Sequence, residues 1–116
     1  MTGTKRIAIL HGAGYVGGEL IRLLLAHPYC KLEAVTSRTF AGRPLWHAHP
    51  ALRGQTELTF VDEDALVLSE LDAVLIAAEH GQGARAVQHL LEDGYRGVII
   101  DLSADFRFRE AAIYPA

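Results

Sequence analysis

The chain has 116 residues, half of them hydrophobic and 22% charged, with a formal net charge of −3. One ordinary globular domain accommodates that length, and the lack of a basic excess gives no footing for nucleic acid or an anionic membrane surface. The single cysteine, Cys30, excludes an internal disulfide framework, and no apolar run reaches the roughly 20 residues that span a bilayer.

In chain order, residues 1–6 lead straight into an apolar strand over residues 6–10, leaving no room for the apolar segment of a signal peptide. The expected location is the cytoplasm. A glycine-rich turn follows at once. Gly12, Gly14 and Gly17 fit G-x-G-x-x-G, in which the first glycine permits a tight turn and the second lets backbone approach a pyrophosphate. The third lets the next helix pack close to the strand, and the free N–H groups at that helix start favour phosphate charge. The pattern predicts a helix from Tyr15 to Ala26, ended by His27 and Pro28, then a second strand from Leu32 to Thr36 and a turn at Ser37 and Arg38.

Residues 40–54 have neither helical nor strand period, and Pro44 and Pro50 argue for an irregular crossover. Alternation over Glu57 to Val61 predicts a more exposed third strand. Asp62, Glu63 and Asp64 would cap a short helix ending near Glu70. Asp72 to Ala78 is an apolar strand of the kind buried in a parallel sheet. A helix from Gly83 to Asp93 would face the core with Ala84, Val87, Leu90 and Leu91, and Gly94 would stop it. Val98 to Ile100, leading to Asp101, makes a fifth strand. Strands alternating with helices predict an α/β, Rossmann-like, doubly wound and mostly parallel sheet. Without a clear closing element after Asp101, the chain reads as a nucleotide-binding domain cut short at its C-terminus.

An acid about 20 residues past the glycines usually holds the ribose 2′-hydroxyl of NAD. Thr36, Ser37, Arg38 and Thr39 stand there instead, and Glu33, the nearby acid, falls towards the other end of the strand. An arginine flanked by hydroxyls suits a 2′-phosphate, so the reading is NADP; the plainer alternative is a solvated surface charge at Arg38. Loops after the fourth and fifth strands, carrying His80, Gly81 and Ser103, face the same end of the sheet. For His80 a site role and a structural one stand level, and Ser103 and Arg107 carry modest weight. His47 and His49 lack a completing ligand set, so no metal site is expected, and Cys30 has no activating neighbour. Arg43 and Arg53 have no assignable role.

These pieces resemble the N-acetyl-γ-glutamyl-phosphate reductase family. The resemblance rests on Gly14 to Leu20 with Arg22 to Pro28, Thr36 to Arg38, Ala41-Gly42 and His49-Pro50. It continues through Asp72 to Ala78, His80-Gly81, Asp101 to Arg107 and Tyr114. Thr36 to Pro44, with Leu52-Arg-Gly54, is most similar to the branch acting on carrier-protein-linked aminoadipyl or glutamyl phosphate. The resemblance implies an NADPH-dependent oxidoreductase that turns an acyl phosphate into a semialdehyde, in arginine or lysine biosynthesis, through a cysteine thiolate and an assisting histidine. Beside Gly12 and Gly17 of the glycine motif, it implies NADP contacts at Ala13, Gly14, Tyr15 and Val16 and at Ser37, Arg38 and Thr39, with His80, Gly81 and Ser103 near the pyrophosphate and nicotinamide. The intact enzyme would be a homo-oligomer.

Two departures from the family pattern fall in or beside this site. The family loop is commonly G-x-S/T-G-Y-x-G, whereas His11 replaces the first glycine here, Gly12 is additional, and Ala13 replaces the hydroxyl residue. Losing that hydroxyl removes one phosphate hydrogen bond, worth about 0.5–1.5 kcal/mol. Glu79 stands where the family commonly has proline. The family's nucleophilic cysteine lies in a motif that Cys30 does not match, so this chain is expected to bind cofactor and catalyse nothing by itself. A second class remains open: a stand-alone, non-catalytic dinucleotide-binding sensor or regulatory module.

Overall fold

A computed structural model describes residues 4–78 and 82–102. Five parallel strands form one sheet in the order β3-β2-β1-β4-β5. They are β1 (Lys5–Leu10), β2 (Cys30–Thr36), β3 (Phe60–Val61), β4 (Ala73–Ile76) and β5 (Val98–Asp101). Helix α1 (Tyr15–Leu25) connects β1 to β2, and helix α2 (Gly83–Glu92) connects β4 to β5. β1 is the hub, pairing with β2 on one edge and β4 on the other. Alternation along β1 sends Ile7 and Ile9 into a core with Ile21 and Leu24 of α1, and Leu10 into a second core with Ala86 and Leu90 of α2. The helices thus cover opposite faces, as the doubly wound expectation requires.

The central strands and both helices lie where the apolar patterns put them, within two residues at each end, with Asp72, Ala77 and Ala78 flanking β4 rather than belonging to it. Three expectations need correction. β3 spans only two residues, because the chain just before it is engaged elsewhere. Phe60 N–H donates to Arg43 O (2.9 Å) and Leu45 N–H to Leu58 O (3.2 Å), tying residues 58–60 antiparallel to the crossover. The crossover itself holds two 3-10 turns, Leu45–His47 and Pro50–Leu52, the second opening on Pro50. Its Leu45 and Leu52 are buried beside Phe60.

The helix expected after Asp62 is replaced by two 3-10 turns, Glu63–Ala65 and Leu68–Glu70, with Leu66 and Val67 extended between them. That spacing lets Leu66, Leu68 and Leu71 all pack on the α2-side core. On α2 the buried face is Gly83, Ala86 and Leu90, rotated from the expected stripe, and Leu91 stays exposed. Gly94, at φ 84°, ends the helix in the left-handed region open to glycine.

Glu33 proves to be the extra residue of a bulge, since Ile7 pairs with Leu32 and Ala8 with Ala34. Its carboxylate accepts from Arg6 Nε at 2.8 Å and lies 3.6 Å from Lys31 Nζ. Tyr95, buried under β4, donates its hydroxyl proton to Leu71 O at 3.0 Å. Burial, with help from the Asp72 charge, raises the Tyr95 phenol above its usual range.

Candidate functional site

The chain leaves β1 towards β2 and later returns to pair β4 on β1's other edge. The C-terminal ends of β1 and β4 are therefore a switch point, where ligands of open parallel sheets bind. A cavity of about 360 Å³ opens there. It is lined by His11, Ala13 and Gly14 after β1, Ser37, Arg38 and Thr39 after β2, Glu63 beyond β3, Ala77 after β4, and Gln82, Arg85, Ala86 and His89 of α2.

The glycine turn is seated by hydrogen bonds to the end of β2. His11 N–H donates to Thr36 Oγ1 at 3.0 Å and Gly12 N–H to Thr36 O at 2.9 Å. A side chain at position 12 would overlap Val35 Cγ1, and one at 17 would overlap the backbone of Gly12. Both glycines are thus explained by close packing of strand, turn and helix. Gly14 is the N-cap of α1 in an extended conformation, with no side chain capping it and no acid in the first turn. The first turn of α1 thus brings no carboxylate of its own to compete for its free N–H groups, which suits an anion.

Of the sequence-based candidates, Ala13, Gly14, Ser37, Arg38 and Thr39 meet in this one cavity. Gly12 and Gly17 are buried behind it, and Tyr15 and Val16 begin α1 with exposed side chains. His80, Gly81 and Ser103 lie outside the described residues, as do Glu79 and Arg107. Ser37 is buried, and its Oγ accepts from Phe40 N–H at 3.1 Å, fixing the turn that presents Arg38 to solvent.

Several contributors escaped sequence reasoning. Arg85 and His89 stand one turn apart on α2 and bring a second cation and an imidazole to the cavity. Their i, i+4 spacing on the helix after the fourth strand was the available signal. His49 Nε2 meets Gly12 O at 2.7 Å, and its ring lies where a side chain at Gly18 would be. That histidine is bound up in bracing the turn from the crossover, and a contact across 37 residues leaves no local trace. Among the described residues, no group of three or more His, Cys, Asp or Glu side chains could hold a metal ion. Arg53 stacks over Trp46 at 4.8 Å, away from the cavity.

Chemically, the cavity joins a helix N-terminus, two guanidinium groups and a buried hydroxyl against one carboxylate, that of Glu63. A dinucleotide carrying phosphates fits this donor set: main-chain N–H groups can meet a pyrophosphate, and Arg38, Ser37 and Thr39 a further phosphate.

A family model described as "Semialdehyde dehydrogenase, NAD binding domain" matches residues 6–115. The chain is 43% identical over 116 residues to a putative LysW-L-2-aminoadipate/LysW-L-glutamate phosphate reductase of Aeropyrum pernix, covering 99% of this chain and 32% of that protein. It is also 43% identical over 105 residues to an N-acetyl-gamma-glutamyl-phosphate reductase of Marinobacter nauticus, covering 90% of this chain and 30% of that one. The chain thus spans about a third of the length of these curated relatives. A crystal structure of aspartate semialdehyde dehydrogenase with NADP from Candida albicans superposes with a TM-score of 0.73 at 18% identity, over 91% of this chain and 31% of that one. At that identity the likeness is one of fold. No helix among the described residues is long and apolar enough to cross a membrane.

Proposed function

Because the chain belongs to the semialdehyde dehydrogenase NAD-binding domain family, we propose that it is the NADP-binding portion of an acyl-phosphate reductase in arginine or lysine biosynthesis. Its substrate class is N-acetyl-γ-glutamyl phosphate or a carrier-protein-linked aminoadipyl or glutamyl phosphate, taken to the semialdehyde. The intact enzyme works as a homo-oligomer in the cytoplasm. The observation that carries the reading is the cavity at the switch point, where the glycine turn and Arg38 converge from the ends of neighbouring strands.

In this proposal the backbone of Gly12 to Gly17 and the start of α1 hold the pyrophosphate. Ser37, Arg38 and Thr39 hold the adenosine 2′-phosphate, with Arg38 supplying charge-assisted hydrogen bonds that NADH could not use. His80, Gly81 and Ser103 are proposed to approach the pyrophosphate and nicotinamide. The bound nicotinamide would supply the hydride, and this chain's residues orient it and exclude alternatives. The nucleophile is assigned to the part of the intact enzyme beyond this chain.

The test is the dissociation constant for NADPH and for NADH, followed by quenching of intrinsic fluorescence. The parent should prefer NADPH. Arg38→Asp should weaken NADPH by about tenfold or more, as expected for losing a hydrogen bond to a charged group, while changing NADH little. Equal affinities in the parent would overturn NADP specificity. Turnover of an acyl phosphate with NADPH by the full-length protein tests the reaction class.

A further inference from the structure

His11 is the one residue other than glycine with a positive φ among the described residues, at 61°. Left-handed backbone is costly for most side chains and is tolerated best by Gly, Asn, Asp and His. Holding an imidazole there keeps it inside the phosphate-binding end of the cleft. Its Nε2 lies 3.5 Å from the Glu63 carboxylate, and both side chains are partly exposed. A second, smaller hollow of about 270 Å³ is lined by His11, Thr36, Ser37 and Arg38 together with Asp62, Glu63 and Asp64. The same pair therefore borders both hollows that Ser37 and Arg38 border.

We propose that the His11–Glu63 pair is a specificity element for the phosphorylated nucleotide. Without nucleotide, Glu63 holds the His11 ring; when a 2′-phosphate enters beside Arg38, a ring N–H of His11 turns to it as a further donor. Glu63 is the opposing element, since its negative charge repels that same phosphate and keeps affinity moderate. This inference rests on the reading of Ser37 and Arg38 as the 2′-phosphate site.

The charged and titratable groups that share a hollow with the His11 ring come from three directions. Glu63, Asp62 and Asp64 follow β3, Arg38 follows β2, and Arg85 and His89 belong to α2. Three carboxylates and two guanidiniums thus border the hollows that this imidazole borders. Imidazole is the side chain that changes charge between about pH 5 and 8. The phosphate monoester also titrates in that range. The diagnostic quantity is thus the difference between parent and variant, not the parent profile alone.

The experiment is NADPH and NADH binding by the full-length protein and by two variants, at pH 6 and pH 8. H11N keeps a residue that accepts the left-handed backbone and removes the imidazole. It should weaken NADPH about three- to tenfold at pH 6, in keeping with a partly screened charged hydrogen bond, and much less at pH 8, with NADH unchanged. E63Q lies at an exposed position and should fold normally. It should tighten NADPH about two- to fivefold at pH 8 by removing one repelling charge, with a smaller effect on NADH, which lacks the 2′-phosphate. NADPH and NADH affinities shifting in parallel in H11N, or an unchanged NADPH affinity in both variants, would overturn the proposal. A parent without NADPH preference would instead overturn the underlying NADP reading, so the two failures are told apart by the parent alone.

Discussion

At position 17 the chain has no room for a side chain, because the backbone of Gly12 already occupies the space a Cβ would need. Gly17→Ala must push helix α1 away from the turn, and overpacking of this kind costs about 1–3 kcal/mol. The expected outcome is a lower Tm together with weakened nucleotide binding, measured by thermal unfolding with and without NADPH. An unchanged Tm would mean the close approach is not what requires glycine there. The role of this glycine could be read from its spacing, since G-x-G-x-x-G encodes a physical arrangement independent of the rest of the fold. His49 could not be read that way. Its bond to Gly12 O depends on a crossover whose path follows from Leu45, Leu52 and Phe60 burying together, and no local pattern announces that.

Among the elements, those enclosed on both sides of the sheet were legible. Ile7 to Leu10 of β1 and the whole of β4 are continuous apolar runs because both their faces are covered, and α1 is bounded by a glycine turn and by Pro28. Where pairing partners lay outside the main sheet, legibility failed. The alternation over residues 57–61 correctly marked extended chain, yet most of its hydrogen bonds go to the crossover. Acids at 62–64 suggested a helix cap, but the leucines that follow pack better on an extended spacing. The bulge at Glu33 was equally hidden, and it carries a prediction. The Arg6 guanidinium hydrogen-bonded to Glu33, against the opposing effect of burial, holds the carboxylate below its usual range, with Lys31 adding to the effect. A carboxylate of depressed pKa contributes stability above its unfolded value and loses it as pH falls through the folded one. Glu33→Gln should therefore lower Tm by only about 1–4 °C at pH 7, as expected for a largely solvated pair. The gap between variant and parent should close below about pH 4, near and under the ordinary glutamate value. A gap of the same size at pH 3 and pH 7 would show that the ion pair is not its source.

On the scale of the whole molecule, the cleft gathers residues from the β1–β2 half and from α2 in the other half. A ligand bound there should stabilise both together. At about a hundredfold excess over Kd, linkage adds about 2.7 kcal/mol, so NADPH should shift one unfolding transition upward. Splitting into two transitions, with only one responding, would contradict the joint site. The position of β1 at the hub also bears on how the chain is made. β1 leaves the ribosome before the other four strands, and α1 and β2 soon cover one edge. Its other edge must wait until residues 73–76 emerge, because Leu10 pairs with Ile76. During that interval an apolar strand presents open backbone donors and acceptors, the template on which stray strands from other nascent chains can add. Slowing translation between β2 and β4 would prolong that interval, so the yield of folded protein depends on how quickly the crossover is synthesised.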